Sequence, residues 1–183
     1  MNKNLEAMVQ ELYDRQAIHD LVVKYCRAVD RMDREMLLSV YHPDAIDDHG
    51  HFTGSAEGFI DWAFGYHGTY QHAHQHIVAN HTCELDGDVA HAETYWIFAG
   101  RNAEGAALSL GGGRYIDRFE RRNGEWRIAL RKCVVDWGGG ASDEFHSAEV
   151  LAAFAGVGQV SRDRGDLSYQ RPMSFDKGRL GGA

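Results

Sequence analysis

Apolar residues recur at helical spacing through the first quarter of the chain. Leu5, Met8, Val9 and Leu12 open the pattern, and Ile18, Leu21, Val22, Tyr25, Cys26 and Val29 carry it on. The spacing predicts a helix over about residues 5–31, with Arg15 as the place where it would break. Asp30 lies one turn after Cys26 and two after Val22, so it extends the apolar stripe. A carboxylate there is costly to bury unless something pairs with it. The competing reading has Asp30 end the helix facing water.

Asp33 can cap a second helix through Met36, Leu37, Val40 and Tyr41, which Pro43 stops. Residues 44–53 read as a short irregular strand turning at Gly50, and Gly54-Ser55 opens a third helix with Phe59, Ile60, Ala63 and Phe64 on its apolar face. After Gly68 the period changes from helical to two. Residues 72–85, 89–99, 107–121 and 125–137 read as strands. Asp86-Gly87-Asp88 and Asn123-Gly124 are hairpin turns. Helices followed by a meander imply an α+β fold: a cone-shaped α+β barrel with the N-terminal helices packed on a curved, mostly antiparallel sheet. Gly111 to Gly113 would curl that sheet, and a curled sheet closed by helices leaves an apolar mouth. Residues 1–140 are therefore expected to form the domain. Residues 141–183 would add a short helix at 142–154 and a polar, Gly-rich tail, packed on the barrel or a neighbouring subunit or disordered.

Composition narrows the partners. The 183 residues carry 27 acidic against 19 basic groups, a net charge of −8, which argues against nucleic acid or an anionic membrane. Cys26, Cys83 and Cys133 are far apart, each in an apolar run, so reduced core thiols and a cytoplasmic location are expected. The N-terminal residues lack a signal-peptide pattern, and no stretch is apolar for long enough to span a bilayer.

Eleven histidines concentrate the chemistry. In HAHQHIVANH, His72, His74, His76, Val78 and Asn80 share one strand face. A histidine there could meet Asp30, whose carboxylate would hold one ring nitrogen and leave the other free to take a proton. The alternating histidines also suggest a metal site. That reading ranks lower, because His72 and His74 are expected at a solvated rim, and no metal is expected. Asp47, Asp48 and His49 read as turn and rim residues, with His49 a minor substrate contact. Trp62, Phe64, Tyr95, Trp96 and Phe98 read as core or as the wall of a cavity for a flat apolar molecule.

KYCRAVDRMD, YHPDA, HIVAN and the FERRNGEWRI hairpin, in this order, resemble the SnoaL-like branch of the nuclear transport factor 2-like superfamily over about residues 10–137. The nearest group is the one containing scytalone dehydratase, γ-hexachlorocyclohexane dehydrochlorinase and bile acid 7α-dehydratase. The resemblance implies that His76 is the base, Asp30 its partner and Asn80 the accompanying asparagine. It implies that Tyr25 is a hydroxyl donor or acid, beside the alternative of a core tyrosine. It puts Arg131 where the dehydrochlorinase holds its leaving group, beside the alternative of a surface ion pair. The bile acid enzyme's arginine position is Val135 here, a departure that weakens any shared substrate. The implied function is a cofactor-independent dehydratase or related elimination enzyme for a small apolar substrate of cyclic or steroid-like shape. Its alternatives are an isomerase or polyketide cyclase, or a non-catalytic ligand-binding or oxygenase-accessory module. The resemblance also implies a homo-oligomer, with a trimer favoured over a dimer.

Overall fold

The computed structural model describes residues 4–141, 161–166 and 169. The chain begins with helix α1 (Leu5–Asp30), started by the Asn4 side chain accepting the Glu6 N–H at 2.6 Å. It runs unbroken through Arg15, against the expected break, because Arg15 bonds Glu11 one turn earlier. Met32, at a positive φ of 51°, reverses the chain, and the Asp33 carboxylate caps α2 (Arg34–Leu38) by accepting the Met36 N–H at 3.0 Å. Helix α2 is shorter than its apolar spacing predicts. Tyr41 belongs instead to strand β1 (Tyr41–Asp48), where Pro43 sits in the interval in which pairing with the last strand slips register. Strand β2 (Thr53–Ser55) and helix α3 (Ala56–Tyr70) follow, with the Ser55 hydroxyl capping α3.

Four long strands complete the domain: β3 (Gln71–Asp86), β4 (Val89–Asn102), β5 (Leu108–Arg122) and β6 (Glu125–Ala141). The six-stranded open sheet has the order β2-β1-β6-β5-β4-β3. Every pairing is antiparallel except β1 with β6. The helices lie on one face of this curved sheet, which is the expected α+β cone. The core runs from Ile18, Val22 and Val29 on α1, through Leu37, Phe59 and Ile60, to Phe119 and Ile128 on the sheet.

The glycine run bends the sheet as anticipated. Pairing of β5 with β6 slips between Gly112 and Gly113. A Cβ on Gly113 would lie 2.0 Å from the Val134 carbonyl oxygen and 2.7 Å from the Trp96 ring. A Cβ on Gly112 would lie 2.5 Å from the Trp137 indole. Only hydrogen fits at Gly113, where the clash is with backbone, whereas a side chain at Gly112 would have to displace the half-exposed Trp137 ring.

The expected helix at 142–154 lies outside the described residues. Residues 161–166 and 169 dock on the domain itself. Asp166 pairs with Arg31 at 3.0 Å, Arg162 donates to the His67 carbonyl at 2.6 Å, and the Tyr169 hydroxyl donates to Asp33 at 2.8 Å. All three cysteines are free thiols. Among the described residues no helix is long and apolar enough to cross a membrane.

Candidate active site

Asp30 is the last residue of α1, where the helix dipole disfavours a negative charge. Strand β3 supplies the compensation. The His76 backbone N–H approaches both carboxylate oxygens, at 2.9 and 3.1 Å, and His76 Nδ1–H donates to Oδ1 at 2.7 Å. Both side chains are 11% exposed. Because Nδ1 is held by the carboxylate, Nε2 carries the lone pair of the neutral ring. His76 lines a cavity of about 310 Å³ between helices α1 and α3 and the sheet, at the small end of ligand pockets. Tyr25, His49, Trp62, Trp96 and Phe98 line the same space.

The two histidines N-terminal to His76 differ from each other. His72 is exposed, in keeping with a rim position, but His74 is only 3% exposed. Its Nε2–H donates to the Val29 carbonyl at 3.1 Å, and its ring stacks on His67 with centroids 4.0 Å apart. The solvated rim expected for His74 is therefore wrong, because the end of α1 covers it. Burial pushes His74 down to about 3 and His67 down to about 4, so both rings stay neutral. His67 Nδ1–H donates to Gln71 at 2.7 Å.

Potential ligand atoms of Asp30, His74 and His76 lie within 4.8 Å of one another. Most of these atoms are already engaged in hydrogen bonds, although His74 Nδ1 is buried without a partner. A metal held through His74 Nε2 and His76 Nδ1 would have to break the His74–Val29 bond and the Asp30–His76 bond.

Three other expected positions are corrected. Pairing of β3 with β4 slips between Val78 and His81, so the alternation shifts by one residue. Asn80 is thereby turned outward and exposed, while His81 turns in to bond Thr94 at 2.8 Å. Arg131 is fully buried and joined to Asp117 by two bonds of 2.8 and 2.7 Å. Its guanidinium lies 4.0 Å from the Tyr25 ring centroid and 4.1 Å from that of Tyr115. It supports the cavity floor from below and is absent from the lining, so it is placed neither for leaving-group contact nor on the surface. Asp47 is likewise buried rather than at the rim.

Asp47 belongs to an arrangement that the sequence pattern does not predict. One of its carboxylate oxygens accepts from His49 Nδ1, and the other accepts the Tyr41 hydroxyl at 2.5 Å. His49 Nε2 lies 3.4 Å from the Tyr25 hydroxyl. Tyr25 is kept protonated, its pKa well above the usual phenol value, chiefly by burial and then by Asp47, against the opposing pull of Arg131. The available signal was the two-residue spacing of Asp47 and His49, which puts both on one face of an extended segment. His67 and Tyr115 also line the cavity, and neither was anticipated.

This cone of helices on a curved sheet, with a cavity at its mouth, is the nuclear transport factor 2-like fold. Residues 10–132 match the SnoaL-like domain, and the chain belongs to that family. Among solved structures, LinA aligns at 26% identity and a TM-score of 0.70, over 76% of this chain and 97% of that one. A LinA-type3 hexachlorocyclohexane dehydrochlorinase from Novosphingobium barchaimii aligns at 22% identity and a TM-score of 0.70, over 76% and 97% of the two chains. A putative scytalone dehydratase from Novosphingobium aromaticivorans aligns at 16% identity and 0.66, over 76% and 99%. No curated protein matches the chain.

Proposed function

We propose that this chain is a cofactor-independent lyase, a dehydratase or related elimination enzyme acting on a small apolar, cyclic substrate. The observation that carries this reading is the Asp30–His76 bond of 2.7 Å at the wall of an aromatic cavity. With Nδ1 occupied, His76 Nε2 removes a proton from a carbon next to an electron-withdrawing group, and Asp30 stabilises the imidazolium that forms. The Tyr25 hydroxyl, kept protonated, is a donor for developing negative charge on oxygen. Trp62, Trp96 and Phe98 offer flat apolar walls to a ring. Proton abstraction and charge stabilisation are then both supplied by side chains, so no metal or cofactor is needed, and chelator treatment is expected to leave turnover unchanged.

The chain's similarity to LinA, whose type-2 and type-3 forms are called hexachlorocyclohexane dehydrochlorinases, supports elimination chemistry. The test is a panel of cyclic β-hydroxy ketones, followed by the absorbance of the conjugated enone. His76→Ala should abolish enone formation. Wild-type turnover in that variant would remove the dyad from the mechanism. A product of unchanged mass would instead identify an isomerase or cyclase. Binding of ring compounds without turnover would identify a ligand-binding module.

The same proposal includes a homo-oligomer, with a trimer ahead of a dimer. Leu5, Val9, Leu12 and Tyr13 stand exposed on the first turns of α1, and Ile77, Ile97, Val134 and Trp137 on the sheet. Apolar surface of this kind favours association. Light scattering should give a multiple of the 20.5 kDa chain mass. Residues 1–140 would be the catalytic unit, and the free thiols suit a reducing cytoplasm.

A further inference from the structure

The cavity has a second histidine–carboxylate pair, which comes from near the opposite edge of the sheet from the first. His76 sits on β3, at one edge of the sheet, and His49 directly follows β1, near the other edge, with three strands between β1 and β3. The curl of the sheet and helix α3 bring both imidazoles to the same space.

We propose that His49, held by Asp47, is the general acid that protonates a departing hydroxyl, so that the preferred reaction of this site is loss of water rather than of halide. This deepens the elimination reading and rests on it. Hydroxide is a strong base and a poor leaving group, and it departs readily only if a proton reaches its oxygen as the C–O bond breaks. Chloride needs no such proton. A site that only expelled halide would gain nothing from a second proton carrier opposite the base.

The surroundings of His49 suit a donor. Nδ1–H is directed at the buried Asp47 carboxylate, which stabilises the charged ring. The Tyr41 hydroxyl satisfies the other oxygen of Asp47, so that carboxylate is oriented rather than free. The imidazole stacks on Phe59 with centroids 4.5 Å apart, and an aromatic face favours a cation. Around it also lie Tyr25 on α1, Trp62 on α3 and Tyr115 on β5, the Asp48 carboxylate on β1, and the His67 ring on α3, which burial keeps neutral; none of them is a fixed positive charge. The side chain is 14% exposed and lines the cavity, and Nε2 has only the long 3.4 Å contact to the Tyr25 hydroxyl, which a ligand oxygen there can replace.

The step balances without a further reactant. His76 Nε2 takes the α-proton, and the C–H electron pair passes reversibly into an enolate before it becomes the new double bond. The C–O bond breaks, and its pair on oxygen accepts the proton from His49 Nε2, which releases water. His76 ends protonated and His49 neutral, and exchange with solvent restores both.

The experiment separates acid from base. β-Hydroxycyclohexanone and β-hydroxydecalone are incubated with wild type and with His49→Gln in D₂O. Exchange at the α-carbon, which needs only the base, is followed by NMR alongside enone formation. His49→Gln should keep exchange within about tenfold and lose enone formation by about 10²–10⁴-fold. Enone formation at the wild-type rate in His49→Gln would overturn the acid assignment alone. An equal loss of both readouts would overturn it too, because His49 would then be shaping the pocket rather than giving a proton. Absence of exchange in the wild type would remove the base reading, and the acid with it. Exchange in the wild type without any enone would leave the base standing and sink the acid.

Discussion

Two carboxylates in this molecule each face a nitrogen base in a protected place, and their surroundings give them opposite uses. Asp117 and Arg131 are both sealed, bound by two bonds and roofed by the Tyr25 and Tyr115 rings. Arginine cannot give up its proton, and no solvent reaches the pair, so it can only hold shape. Asp30 and His76 are just open enough to meet a ligand, and the histidine keeps one nitrogen unoccupied by the carboxylate. Pairing buries a charge in both cases. Only a titratable partner with a free nitrogen turns it into chemistry.

His76→Ala tests the open pair and should have the largest effect. Turnover on a confirmed substrate should fall by about 10²–10⁴-fold with the melting temperature nearly unchanged. Arg131→Ala tests the sealed pair and should do the reverse. Leaving Asp117 buried and alone should cost about 3–5 kcal/mol in denaturant unfolding, whereas a double replacement by apolar residues should recover much of the loss. If Arg131→Ala instead spared stability and impaired only kcat, the distinction between the pairs would collapse.

The next effect is one of pH. His74 and His67 have folded values of about 3 and about 4, below the ordinary 6.5. As pH falls through 6.5 the unfolded chain takes up protons that the folded chain refuses. Their contribution to stability is thus complete above about pH 6.5 and drains away towards pH 4 and then 3. The melting temperature should fall over that window, and His74→Gln, which keeps a donor for the Val29 carbonyl, should flatten the fall. Asp30→Asn should lower turnover by less than His76→Ala and leave stability within about 1 kcal/mol, since it removes a charge from a helix C-terminus. Tyr25→Phe comes last: a loss in kcat with KM unchanged would give the hydroxyl a transition-state role.

Much of this was legible because it follows from periodicity. The stripe through Val22, Cys26 and Asp30 placed the carboxylate, alternation along β3 put a face of histidines opposite it, and the resemblance to the SnoaL-like branch singled out His76. Errors fell where a local irregularity resets the alternation. A slip after Val78 turned Asn80 outward, and the pairing of Tyr41 with Ile128 on β6 drew Val40 and Tyr41 out of α2. His74 was misplaced because its cover comes from the end of α1, which strand alternation does not describe. Arg131 was assigned to the correct face but the wrong depth, since nothing near it in the chain announces Asp117, which is 14 residues away.

The creased glycine run has an optical consequence. Trp96 packs against Gly113 and lines the cavity, whereas Trp137 lies over Gly112 with half its surface in solvent. Trp126 is buried, with its indole N–H donated to Asp14 at 2.8 Å. Intrinsic fluorescence therefore comes from differently placed emitters. A ring compound in the cavity should perturb Trp96 and Trp62, and aqueous quenchers should find Trp137 first. Trp126 should stay constant until the fold is lost, so one spectrum can separate occupancy of the mouth from burial of the outer sheet face.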